Sequence, residues 1–195
     1  MMLQRYPLGP LGTNCYLLSD GENAVLIDPA AKADFLLAAL EKARLRLCAI
    51  LLTHAHFDHI GALRLLREAT GASVFLHPAD LAIAEEMSHG LLTKTLPYPE
   101  ELSFGKLRIR VLHTPGHSPG SVCLLCGSTL FSGDTLFAGS CGRTDFAGGD
   151  YTAILASLRK LAELPGNPVV CPGHGEATDL DTERRTNPYL REAMQ

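Results

Sequence analysis

The sequence predicts an α/β protein folded as a four-layer αββα sandwich: two mixed sheets face to face, with helices outside. Three observations carry this. Each half of the chain gives strand-type runs followed by helix-period segments. The Gly- and His-rich turns fall at strand ends. No stretch has a composition fit to separate two domains. The 195 residues match roughly one domain at about 150 residues each, so a single domain over 1–195 is expected.

In chain order, Asn14–Ser19 and Asn23–Asp28 are strands joined at Asp20-Gly21, a hairpin dipeptide. Lys32–Arg46 places Phe35, Leu36, Ala39, Leu40 and Ala43 at helical spacing. Cys48–Leu52 is a buried strand, Gly61–Thr70 a helix stopped by Gly71, Ser73–Leu76 a strand, and Pro78–Met87 a helix with Pro at its start. Lys94–Glu101, with Pro97 and Pro99, is the nearest thing to a boundary between halves. Leu107–His113 alternates as a half-exposed strand does, and Ser121–Leu125 and Thr129–Ser132 flank a turn at Gly127-Ser128. Tyr151–Glu163 is a helix capped by Asp150, Pro168–Cys171 a strand, and Thr182–Met194 a helix interrupted at Asn187-Pro188.

Composition excludes several classes. At 46% hydrophobic and 19% charged residues, the chain is not disordered. Its 17 basic and 21 acidic residues give −4, whereas sequence-independent nucleic-acid binding needs a basic excess. Six cysteines without regular spacing do not form a disulfide framework. The start, Met1 to Pro7, lacks an apolar leader core, and no apolar run nears the ~20 residues that span a bilayer. A cytoplasmic protein acting on a small molecule, without nucleic-acid or membrane partners, is expected.

The chemistry sits in Thr53-His54-Ala55-His56-Phe57-Asp58-His59, directly after a strand. Side chains two apart on extended backbone point the same way, so His54 and His56 can share one metal. Asp58 and His59 follow the turn towards a helix and can serve a second. At this chain's frequencies, three His and one Asp in that register arise by chance about once in 1,500 such chains. Three later turns each end a strand and add one ligand-type residue: His117 in Thr114–Gly120, Asp134 in Ser132–Thr135, and His174 in Pro172–Gly175. His54, His56 and His117 are expected to hold one divalent metal and Asp58, His59 and His174 the other. Asp134 and a hydroxide would bridge them, making Asp58 and Asp134 the catalytic carboxylates. Zinc is the expected metal, with iron or manganese as alternatives. No cysteine falls at a ligand position, which argues against a closed structural site.

With these residues the chain resembles the metallo-β-lactamase superfamily, whose signature is T-H-x-H-x-D-H followed by His, Asp and His. Gly12–Tyr16, Leu26–Pro29 and Pro172–Gly175 extend the resemblance along the chain, and it implies the same αββα architecture. The T-P-G-H-S-P-G-S and S-G-D-T-L-F segments and Cys141–Phe146 are similar to the glyoxalase II branch, the hydroxyacylglutathione hydrolases. That likeness implies hydrolysis of S-(2-hydroxyacyl)glutathione, such as S-lactoylglutathione, to glutathione and a 2-hydroxy acid. Glyoxalase II proteins end in a helical domain that supplies much of the glutathione site. Residues 175–195 leave room for one broken helix, so the short single-domain type and weak glutathione selectivity are expected. Gly142–Phe146 also occurs in persulfide dioxygenases, which use one iron and oxygen, and glyoxalase II typically has Lys where Arg143 stands. Lactonases share the fold as well.

Chemistry agrees with a thioester. An amide leaving group needs a positioned acid, whereas a thiolate with a pKa of about 8.5 leaves without one. Arg143 either grips a substrate carboxylate or pairs with Asp145. Asp28 and Thr53 either support the metal loop or cap a helix. Cys123 and Cys126 lie an odd distance apart in a strand, hence on opposite faces as core thiols. Cys141 lies near the proposed site. His77, His89 and His113 match no ligand position.

Overall fold

A computed structural model describes residues 1–88 and 95–195. The first sheet has five strands in sequential order: β1 (Met2–Leu8), β2 (Thr13–Ser19), β3 (Asn23–Ile27), β4 (Arg46–Leu51) and β5 (Ser73–Phe75). The first three form an antiparallel meander; β3, β4 and β5 are parallel. Their crossovers are helical, as parallel neighbours require: α1 (Ala33–Lys42) joins β3 to β4, and α2 (Phe57–Ile60) with α3 (Leu63–Thr70) joins β4 to β5. A 3₁₀ turn at Pro78–Asp80 leads into α4 (Leu81–Ser88).

The second sheet contains β6 (Glu101–Phe104), β7 (Leu107–His113), β8 (Val122–Cys126) and β9 (Thr129–Gly133) as antiparallel neighbours. After a small ribbon of β10 (Leu136–Phe137) and β11 (Ser140–Cys141) and the long α5 (Tyr151–Ala162), β12 (Val169–Pro172) returns parallel to β9. The edge strand β13 (Thr178–Asp179), α6 (Leu180–Thr186) and α7 (Pro188–Ala193) complete the chain.

Strand alternation divides the core into three apolar layers. In β2, β3 and β4, Leu17, Leu26 and Ile50 face outward against Leu36 and Leu40 of α1 and Leu63 and Leu66 of α3. Their neighbours Leu18, Val25 and Leu51 face inward and meet Ile109, Leu124 and Phe131 of the second sheet. The outer face of that sheet, Leu112, Cys123, Leu130 and Val170, packs on Leu158, Leu161 and Leu190. Three apolar layers between four structural layers give the expected αββα sandwich of two mixed sheets. Phe131 is 1% exposed and meets the Tyr16 ring edge-on at 5.1 Å. Phe131→Ala is expected to cost about 3–5 kcal/mol, read as a lowered denaturant midpoint at unchanged slope.

The differences from the expected elements are local. β1 carries Pro7 and mostly exposed side chains, which a proline tolerates only at an edge, so its alternation is faint. The first helix is shorter than Lys32–Arg46 because Lys32 and Arg44 adopt left-handed backbone and Arg46 already belongs to β4, paired with Asn23 of β3. The helix expected over Gly61–Thr70 starts at Leu63, and a separate one-turn helix, α2, precedes it and carries Asp58 and His59. Of the expected boundary stretch, Lys94 lies outside the described residues; Leu96 bridges to Phe75, and the Tyr98 hydroxyl donates to Leu52 O, so this stretch packs on the first sheet. Asp150 caps α5, and Asn187 ends α6 and caps α7 through Tyr189 N and Leu190 N. Cys123 and Cys126 occupy opposite faces of β8, and both are free thiols.

Candidate metal centre

Strand ends converge on one point. β4 stops at Leu51, and the extended residues after it carry His54 and His56 to the start of α2, whose first turn presents Asp58 and His59. The turn after β7 supplies His117, the end of β9 Asp134, and the end of β12 His174. Two glycines permit the approach. Gly133 has φ +49°, and a Cβ there would strike the Thr53 side chain. A Cβ on Gly173 would collide with Asp134 Oδ1 and come within 2.8 Å of His59 Cε1.

All seven residues come together. Their donor atoms form three groups, each within 4.8 Å: His54, His56 and His117; Asp58, His59 and His174; and His54, His59 and Asp134. Asp134 lies between the first two sets. Its Oδ1 is 3.5 Å from His59 Nε2, and its Oδ2 is 3.6 Å from both His117 Nε2 and His174 Nε2. His54 Nε2, His59 Nε2 and Asp134 Oδ1 are buried without a hydrogen-bond partner. Such atoms cost about 1–3 kcal/mol each when left unsatisfied, and three of them aimed at a common space suit a divalent cation of the zinc, iron or manganese type.

Three of the five histidines have their outward ring nitrogen held, which aims the other nitrogen into the cluster. His59 Nδ1 meets Asp28 Oδ2 at 2.9 Å, His117 Nδ1 meets Arg143 O at 2.8 Å, and His54 Nδ1 lies 3.1 Å from Thr53 Oγ1. Asp28 also accepts from Thr53 N and Thr53 Oγ1 at 2.8 and 2.6 Å. Asp28 and Thr53 therefore brace the histidines and cap no helix.

Charge follows this layout. Burial lowers His59, but the carboxylates of Asp134, Asp28 and Asp58 outweigh it and raise its pKa to about 9. Burial, then His117, takes His56 down to about 4, and burial lowers His54 as well. The Asp58 hydrogen bond raises His174. In the metal-free protein His59 therefore keeps its proton at neutral pH, and capturing a cation must expel it. Apparent metal affinity is expected to rise with pH, by about tenfold per unit for each proton expelled, and to level off above about 9; competition with a chelator at several pH values measures this.

Sequence reasoning missed the residues that hold the loops. Thr13 Oγ1 donates to Asp58 Oδ2 at 2.8 Å, and the Asn14 amide and Tyr16 hydroxyl donate to Pro172 O. Their signal was polar side chains in an otherwise apolar strand. Asp80 is fully buried and accepts from Ala55 N, Ser118 Oγ and Gly120 N at 3.1, 2.8 and 2.5 Å. It thus ties the His54–His56 segment to the His117 turn. Asp80→Ala leaves buried donors unpaired and is expected to lower stability by about 2–4 kcal/mol and metal affinity about 10–100-fold. Paired thermal melts with and without metal separate the two effects.

The other candidates lie as follows. His77 and His113 stack on each other at 4.0 Å, His77 capping the 3₁₀ turn and His113 ending β7. His89 lies outside the described residues. Cys141 is half-buried, and burial pushes its thiol up to about 11, so it is no thiolate at neutral pH. Arg143 Nε and Nη2 each lie 2.6 Å from the Asp145 carboxylate, and the guanidinium sits 4.0 Å over the Phe146 ring. Above the seven residues opens a cleft of about 710 Å³ whose lining includes His56, Asp58, His117, Asp134, His174 and Arg143.

Residues 8–174 match the metallo-beta-lactamase superfamily. The chain belongs to that superfamily. It is a hydrolase of the metallo-beta-lactamase fold with a His/Asp metal-binding cluster. It is 38% identical to the probable metallo-hydrolase YqgX of Bacillus subtilis (97% of this chain, 98% of the relative). It is 33% identical to the hydroxyacylglutathione hydrolase GloC of Haemophilus influenzae, with the same coverage. Among solved superfamily structures, the BLEG-1 B3 metallo-beta-lactamase superposes with a TM-score of 0.87 at 39% identity (97% and 99% of the two chains). TTHA1623 in a di-iron-bound form gives 0.85 at 45% (95% and 99%), and ETHE1 from Myxococcus xanthus 0.84 at 32% (99% and 88%). No helix among the described residues is long and apolar enough to cross a membrane.

Proposed function

We propose that the protein hydrolyses thioesters, with S-(2-hydroxyacyl)glutathione as the reference substrate class, using two divalent cations. The carrying observation is the pair of three-donor groups with Asp134 between them on the floor of a cleft. His54, His56 and His117 would hold one cation, Asp58, His59 and His174 the other, and Asp134 would serve both. Bound there, the metals supply a water acidified to a pKa of about 7 and a polarised carbonyl. The protein's own share is placement. Asp28, Thr53 and the Arg143 carbonyl orient the imidazoles, and Thr13 steadies Asp58. The reaction asks for no acid at the leaving group, since a thiolate departs unassisted. The similarity to GloC supports the acyl-thioester class; the di-iron form of TTHA1623 keeps iron beside zinc as a candidate metal.

The test is turnover of S-lactoylglutathione and a simpler lactoyl thioester by metal-loaded protein without oxygen. Hydrolysis at an unchanged rate under argon is expected. Strict dependence on oxygen, with ferrous iron and a glutathione persulfide as substrate, would move the protein to the persulfide dioxygenase reading.

A further inference from the structure

Among the described residues, six large apolar side chains line the cleft: Leu11 in the β1–β2 turn, Phe57 at the start of α2, Ile83 and Met87 on α4, Phe137 on β10, and Phe146 beyond β11. Leu11, Phe57, Met87 and Phe146 are 37% to 59% exposed. They come from four separate segments, so chain proximity does not explain the gathering. An apolar wall around a few convergent polar groups is the usual form of a small-molecule site, and apolar surface left open to water marks where a ligand docks.

The charges on these walls point the same way. Among the described lining residues, Arg143 is the one Lys or Arg. Two of its nitrogens already bind the Asp145 carboxylate, and its face is laid on Phe146. One edge of the planar fork, Nε and Nη2, is therefore engaged within the chain, and the Nη1 side is what stays open to a ligand carboxylate. Glu86 adds a negative charge to the lining. Glutathione brings two carboxylates and one ammonium, and each needs a placed partner before it adds selectivity.

Resting on the thioester reading above, we propose that the cleft selects neutral thioesters with an apolar acyl chain or ring over the anionic conjugates of glutathione. The covalent step is plain hydrolysis. Water oxygen bonds to the acyl carbon, the C–S bond breaks with its electron pair going to sulfur, and a water proton passes to the thiolate. Nothing is oxidised or reduced.

The experiment has two arms on metal-loaded protein. In the first, kcat/KM is measured for acetyl, phenylacetyl and lactoyl thioesters of N-acetylcysteamine and for S-lactoylglutathione. Burying a ring gives about 10- to 100-fold, so the phenylacetyl ester should exceed the acetyl ester by at least about tenfold. The lactoyl ester of the neutral thiol should match or exceed that of glutathione. Phe57→Ala and Phe146→Ala should each shrink the phenylacetyl-to-acetyl ratio about threefold or more. In the second arm, calorimetry compares S-phenylethyl thioethers of N-acetylcysteamine and of glutathione, which cannot be hydrolysed; the neutral one should bind more tightly. A preference of tenfold or more for the glutathione compounds in both arms overturns the proposal. If no thioester is turned over but the neutral thioether binds more tightly, the thioester reading falls and the cleft's preference stands.

Discussion

Asp134→Ala is expected to lose turnover by several orders of magnitude and to carry little metal. Asp134 lies between the two three-donor groups: its two oxygens lie 3.5–3.6 Å from the Nε2 atoms of His59, His117 and His174. Without it, five buried or half-buried imidazoles face one another with Asp58 as the remaining carboxylate among the seven residues. A cation on either side then lacks a ligand, and the two sides lack their common one. Asp134 stands at the end of β9, outside the apolar layers, so the variant should keep its native circular dichroism. Metal added to the wild type should raise its melting temperature by mass action, and this rise should vanish in the variant. Full activity in Asp134→Ala would end the dinuclear reading.

Asp28→Ala is expected to be the most damaging change at a residue that touches no metal. Asp28 is 1% exposed, ends β3, and accepts from Thr53 N, Thr53 Oγ1 and His59 Nδ1. Truncation leaves a buried amide and a buried imidazole unpaired. Removing one partner of a buried charged pair costs about 3–5 kcal/mol, or about 6–20 °C in melting temperature for a domain of this size. Metal affinity should fall a further 10–100-fold or so, because the His59 ring is no longer oriented. Asp28→Asn keeps an acceptor and tolerates the left-handed backbone at φ 49°, so it should recover part of the stability and less of the metal affinity. Thermal melts of the metal-free variants give the first effect, and metal titration of the folded protein gives the second.

The seven candidate residues were legible because they fall in four short segments that each follow a strand: Thr53–His59, which runs on into α2, and the Gly- and Pro-framed turns with His117, Asp134 and His174. Chemistry-bearing residues in such turns are a local pattern, readable without the fold. Sheet strands with strong alternation, such as Leu107–His113, were legible for the same reason. What stayed hidden depends on distant contacts. Asp80 lies 25 residues from Ala55 and 38 from Ser118, and nothing beside it in the sequence shows that it binds both. β1 shows little alternation because most of its side chains are exposed and it is held by seven residue pairings with β2. The pairing of Arg143 with Asp145 was visible as one of two options, and the stacking on Phe146 was not, since a loop's backbone decides which neighbour an arginine meets.

Metal content per chain, measured by elemental analysis on protein reconstituted after chelation and assayed for thioester turnover in the same tube, tests the central claim most directly. Activity is expected to be absent from the chelated protein and to return with added metal, saturating at about two ions per chain, one for each set of three donors in the proposed site. Saturation at one ion per chain with full activity, or hydrolysis by the metal-free protein, would contradict it.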